Sequence, residues 1–216
     1  MRFISTLFTI LLLTVASNSN AQEDGLVLSK EKTKLLMDAQ AYLSSIKTLK
    51  ANFIQTNPDG LPISEGQFFI DKPGKLVLKY TRPFNIYYYI IDDSFIQYDA
   101  DLDQVTRASA PDNPLRVLLY DDITFYDNNI MDIGGIKESP DSFSVYLASK
   151  SDDYTEISGL ILRFSKGDTE LTGIQRVDAE GNYTNLQLTG LKKNEEIDKS
   201  IFEFSKPSPK YPSSRN

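Results

Sequence analysis

The chain has 216 residues, 23 Lys and Arg against 30 Asp and Glu, and neither His nor Cys. Without Cys there are no disulfides, thiolate nucleophiles or zinc–thiolate sites, and without His the Ser-His-Asp and Cys-His machineries are excluded. A net charge of −7 argues against a nucleic-acid partner, because phosphate binding rests on clustered Lys and Arg.

Arg2 is followed by an apolar run over residues 3–15 and then by Ser19-Asn20-Ala21. This is the layout of a secretory signal peptide, residues 1–21, cleaved after Ala21. The run is short for a membrane span. The leader has no Cys to receive a lipid, so residues 22–216 are expected as a single soluble exported domain. An exported chain without Cys fits a bacterial periplasm.

Ser29 reads as an N-cap, after which Leu35, Leu36, Ala39, Tyr42, Leu43 and Ile46 recur at helical spacing. Strand patterning then takes over. Leu49, Ala51 and Phe53 alternate with Lys50, Asn52 and Ile54 up to the turn Asn57-Pro58-Asp59-Gly60. Residues 64–70, 75–80, 86–91, 95–99 and 102–107 continue as a meander, turning at Pro73-Gly74 and Asp92-Asp93. Asn113 as N-cap with Pro114 at the first helical position predicts a short helix over 114–120. Further strands fall at 143–147, 160–164, 173–177 and 185–191, the last two joined by Asp178-Ala179-Glu180-Gly181. From Lys206 on, Pro207, Pro209 and Pro212 among Ser and Lys predict a mobile tail. The sum is one mostly antiparallel domain with a few helices.

The acidic stretch Asp99-Ala100-Asp101-Leu102-Asp103 suggests a calcium loop, but Gln104 and Ala110 stand where an EF-hand needs Gly and Glu. It reads better as a solvated turn, as do Tyr120-Asp121-Asp122 and Ser151-Asp152-Asp153. A carboxylate pair drawn from Asp99, Asp101 and Asp103, acting on envelope glycans, is the enzymatic alternative. No G-x-S-x-G, P-loop or G-x-G-x-x-G is present, so no catalytic residue, metal or cofactor is expected. What the chain does supply is apolar surface: twelve Phe and twelve Tyr, with no Trp. Phe53, Phe68, Leu76, Leu78, Tyr80, Tyr88 and Phe95 fall in strands, and Leu115, Leu118 and Leu119 on the short helix. Periodicity alone favours a filled core. The alternative is a sheet curled around a cavity with the helix as a lid.

Several short motifs occur in a familiar order. They are Leu49-Lys50-Ala51-Asn52-Phe53-Ile54-Gln55, Lys72-Pro73-Gly74-Lys75, Tyr80 and Pro83, then Tyr98 through Val105 and Asn113-Pro114-Leu115. Val177-Asp178-Ala179-Glu180-Gly181 and Ile201-Phe202-Glu203-Phe204 complete the series. The chain thereby resembles the periplasmic outer-membrane lipoprotein carrier family, LolA, over nearly its whole length after the leader. The resemblance implies a mainly β fold, an incomplete antiparallel β-barrel closed by a lid of short helices over an apolar cavity. It implies a monomeric carrier that takes triacylated lipoproteins from an inner-membrane ABC transporter to an outer-membrane lipoprotein receptor. A lipid-binding envelope sensor on the same fold is the alternative. By the same resemblance Phe53, Leu76, Leu78, Tyr80 and Phe95 line the acyl cavity, and Leu115, Leu118 and Leu119 form the lid helix. The family often has Arg before the Pro-Gly turn, latching the lid. Lys72 stands there in this chain, a point charge in place of a planar fork, so the latch is expected to be weaker or differently aimed.

Overall fold

The structure, a computed structural model, describes residues 28–110, 114–126, 131–150, 158–178 and 180–206. The expected leader, the Asn113 cap, the Ser151-Asp152-Asp153 loop, Ala179 and the Pro-rich tail lie outside the described residues.

Helix α1, Lys30–Ser44, begins as its sequence predicts: the Ser29 side chain accepts a hydrogen bond from Lys32 N at 3.3 Å. Its buried face is Leu36, Ala39 and Leu43. The helix stops at Ser44, so Ile46, read as the last helical position, lies beyond it and is buried in the link to the first strand.

Eleven strands make one antiparallel sheet: β1 Thr48–Thr56, β2 Pro62–Asp71, β3 Lys75–Arg82, β4 Ile86–Ile91, β5 Ser94–Asp99, β6 Gln104–Ser109, β7 Met131–Glu138, β8 Ser142–Ser149, β9 Gly159–Ser165, β10 Leu171–Val177 and β11 Tyr183–Lys193. Their order is β6-β5-β4-β3-β2-β1-β11-β10-β9-β8-β7, with β1 paired to β11 in the centre and β6 and β7 at the edges among the described residues. The sheet is therefore an open half-barrel, as the resemblance implies. Strand β7 is not anticipated by pattern. Gly134-Gly135 interrupts the alternation, the register shifts there, and Tyr146 lies against Gly134 so closely that a Cβ would be 2.1 Å from its ring.

The concave face carries the main core. Val145, Leu147, Leu160, Leu162, Phe164 and Leu171 are fully buried there, packed with the α1 face, and Phe143 stacks on Phe164 at 5.2 Å. A second, smaller cluster covers the convex face. Phe69, Val77 and Tyr89 are buried there beneath Ile197 and Phe202, which belong to a segment containing the 3-10 helix Lys199–Phe202. Lys199 ties that segment to the buried Asp71 at 2.8 Å. Coverage on both faces explains why Phe68, Phe69 and Ile70 are buried consecutively instead of alternating.

Candidate functional site

Strands β1–β5, β10 and β11 enclose a cavity of about 520 Å³ on the concave side, within the roughly 300–1,000 Å³ range of small-ligand sites. Strand register orders its lining. Leu76, Ile90 and Phe95 sit at the end where the β2–β3 and β4–β5 turns meet the helices, and Leu115 caps them. Leu78, Tyr80, Ile86, Tyr88, Ile174 and Leu186 form the walls. Toward the opposite end the lining turns polar through Gln55, Ser64, Gln97, Thr184 and Arg176, with the largely exposed Phe84 at the mouth.

Alternation along each strand puts these side chains on one face. Leu76, Leu78 and Tyr80 follow one another at every second position of β3, with Ile90 and Tyr88 of β4 opposite the first two. Tyr80 is the centre of an aromatic chain. Its ring meets Phe53 edge-on at 4.8 Å and Tyr88 at 5.7 Å, and Tyr88 stacks on Phe95 at 6.1 Å. Burial pushes the Tyr80 phenol up to about 12, helped by Tyr88 and opposed by Arg176. The phenol is therefore neutral at neutral pH.

The cavity brings together Leu76, Leu78, Tyr80, Phe95 and Leu115 of the residues singled out in the sequence. Phe53 is not at its surface. It is 1% exposed and stands behind Tyr80, because the glycine opposite it, Gly66, leaves the ring a place inside the core. The lid helix is a 3-10 helix, Pro114–Leu119, and only Leu115 of its three leucines reaches the cavity. Leu118 and Leu119 are buried in the main core, where the short turn anchors itself.

The lid is tied down at several points. Gly74 N donates to Leu119 O at 3.1 Å, Arg116 pairs with Asp93 at 2.9 Å, and the segment after the 3-10 helix is pinned to α1. There Ile123 N donates to Ser44 Oγ and Phe125 N to Gln40 Oε1, both at 3.1 Å. Sequence reasoning missed the Arg116–Asp93 pair and the Gln40–Ser44 face. A polar i, i+4 pair on an otherwise amphipathic helix was the one available signal for the latter. Lys72 does hold a helix, but α1 and not the 3-10 turn: its Nζ donates to Leu43 O at 2.8 Å. That carbonyl, which also accepts from Ile46 N at 3.2 Å, belongs to the last turn, where α1 has no basic residue of its own.

Burial lowers the Lys72 ammonium to about 8, against the opposing pull of Asp121 and Asp122. Below that pH both folded and unfolded chains hold the proton, and the cost of burying the charge is fully present. Between about 8 and the ordinary 10.5 the folded chain releases the proton while the unfolded chain keeps it, so stability rises with pH. Tyr80 acts oppositely, since its raised pKa gives stability that is lost above its unfolded value of 10.0. Urea denaturation between about pH 8 and 10 should show the wild type gaining on Lys72→Met. A constant difference across that window would show that Lys72 is hydrated and keeps its ordinary pKa.

The acidic turn has its own occupation. Asp99 Oδ1 accepts from Asp101 N and Leu102 N, Asp101 binds Asn85, and Asp103 pairs with Lys206 at 2.9 Å. These carboxylates shape a hairpin end, and they are absent from the cavity lining.

Fold and cavity together define a lidded β half-barrel that can enclose a long apolar ligand beneath a polar mouth. Residues 44–205 match the model of the family described as outer membrane lipoprotein carrier protein LolA, and the chain belongs to that family. It is 29% identical over 180 residues to an outer-membrane lipoprotein carrier protein of Ralstonia nicotianae, covering 77% of this chain and 81% of the relative. A protein of the same description from Pseudomonas aeruginosa is 29% identical over 214 residues, covering 96% of each chain. Among solved structures, a LolA superfamily protein from Nitrosomonas europaea superposes with a TM-score of 0.43 at 10% identity, covering 79% of this chain and 96% of that one.

Proposed function

We propose that the protein is a periplasmic carrier of acylated lipoproteins, which it accepts from an inner-membrane ABC transporter and delivers to a receptor at the outer membrane. The observation that supports this most directly is the apolar cavity under Leu115, held closed by a few separable contacts. Family membership and the names of the relatives point the same way.

The physics of the task matches the site. Each methylene taken out of water is worth about 0.8 kcal/mol, so acyl chains cross an aqueous space only when covered. A carrier must also release them. Leu115 occupies the apolar face that an acyl chain would occupy, so lid and ligand compete for one surface. A ligand that displaces Leu115 from this end of the cavity then shifts the population toward an open lid. Loss of the ligand lets the lid reclose. A surface ion pair such as Arg116–Asp93 contributes little stability, which suits a contact that must break on every cycle.

The test is a release assay. Inner-membrane vesicles holding the transporter and a tagged triacylated lipoprotein are incubated with ATP and the purified protein. The expected result is a soluble stoichiometric complex that is lost when the cargo is unacylated. No release by a folded protein would sink the carrier reading and favour an envelope sensor on the same fold.

A further inference from the structure

Among the described residues Arg176 is the one ionised side chain lining the cavity. It is half-buried on β10, opposite Thr184 of β11, on the same face as Ile174. Among the described residues its guanidinium makes neither an ion pair nor a hydrogen bond. Asp178, two residues along the chain, accepts from Asn182 N and Nδ2, and Arg176 acts on its carboxyl only through space, without an ion pair. The phenols of Tyr80 and Tyr88 line the same cavity with rings 5.7 Å apart, and neither hydroxyl bonds to another described residue. No fully buried side-chain polar atom among the described residues lacks a partner, so these donors open onto the cavity.

A guanidinium is costly to leave half-desolvated without a counter-charge, and its planar fork matches a carboxylate or phosphate. A guanidinium with its donors unpaired inside an apolar cavity favours an anionic head over a neutral one. Its position completes the pattern: the carbon-only lining is at the lid end, and Arg176, Gln55, Ser64 and Thr184 lie toward the mouth.

We propose that the cavity binds acyl amphiphiles whose head is an oxyanion, carboxylate or phosphate, with the head paired to Arg176 and the tail running toward Leu115. This rests on the acyl-cavity reading above and adds a ligand class to it: free anionic lipids, held by charge and not only by apolar contact. Tyr80 and Tyr88 stand beside the head as neutral donors.

The experiment is calorimetric titration of the purified protein with four probes: decanoate, dihexanoyl phosphatidic acid, decanol and dihexanoylglycerol. The wild type should prefer each anionic probe to its neutral partner by about 10- to 100-fold. Arg176→Leu should erase that preference, and Arg176→Lys should restore part of it. Arg176→Gln serves if the leucine variant does not fold, as judged by its thermal melt. Preference for decanoate alone or for the phosphatidic acid alone supports the proposal and identifies the source of the oxyanion. Equal affinity for anionic and neutral probes, or a preference that survives Arg176→Leu, overturns it while leaving the acyl cavity standing. Binding of none of the four overturns the cavity reading itself.

Discussion

Leu78→Glu leaves a folded protein that no longer holds acyl chains. Leu78 is half-buried in mid-wall, with Phe68 and Tyr88 as its strand neighbours. In the empty cavity a glutamate there can point to solvent through the mouth, so folding costs little. Once an acyl chain is seated, the carboxylate must either stay charged without a partner or take up a proton. A forced pKa rise of about two to three units corresponds to about 3–4 kcal/mol, or more than a hundredfold in affinity. Recovery of lipoprotein in the soluble fraction, measured beside a urea melt, checks both halves. Undiminished complex formation by a folded variant would remove Leu78 from the ligand's path.

Phe53→Ala should show the reverse signature. Its ring is 1% exposed, touches Tyr80 at 4.8 Å, and faces Gly66 across the β1–β2 pair. Truncating a buried Phe costs about 3–5 kcal/mol when the site cannot collapse. Collapse is blocked here. A Cβ on Gly66 would lie 2.6 Å from Phe53 Cζ but also 2.1 Å from the Lys79 carbonyl oxygen, so nothing on β2 can refill the space without moving β3. At about 2–4 °C per kcal/mol for a domain of this size, the melting midpoint should fall by about 6–20 °C. Acyl affinity, measured on the molecules that remain folded, should change by less than tenfold, because Phe53 is not at the cavity surface. A midpoint that does not move would place Phe53 on the wall after all.

The contrast between these two residues shows how far sequence reading reaches. Both are apolar strand residues at alternating positions, and alternation says only that each faces the concave side. Whether that side is filled depends on what packs against it. On β9 the α1 helix does so through Tyr42 on Phe164, together with the 3-10 helix, and Phe164, Leu160 and Leu147 are fully buried. Along β3–β5 space remains beneath Leu115 of the 3-10 helix. The filled core and the lidded cavity, alternatives in the sequence, are thus both present in different parts of one sheet.

Local chemistry was legible wherever a single residue type performs a single local task. Ser29 caps α1 with its own hydroxyl, and Asn57 closes the first hairpin through its side chain and carbonyl. Two-residue spacing placed most strands, since the pleat imposes it on each strand separately. Strand β7 escaped because its glycines carry no side-chain pattern, and the convex-face strap escaped because Ile197 and Phe202 are too few to form a period.

By itself, then, the sequence determined the helix start, the turns, the mostly antiparallel class and the absence of His- or Cys-based chemistry, because these depend on residues close in the chain or on composition alone. Tertiary structure decided the rest. It sent Lys72 to the end of α1, paired Arg116 with Asp93, set Phe53 behind Tyr80 and brought Arg176 of β10 to the same cavity as Tyr80 and Tyr88. Each of these relations joins residues far apart in sequence, and each exists only because the sheet curls and brings them within reach.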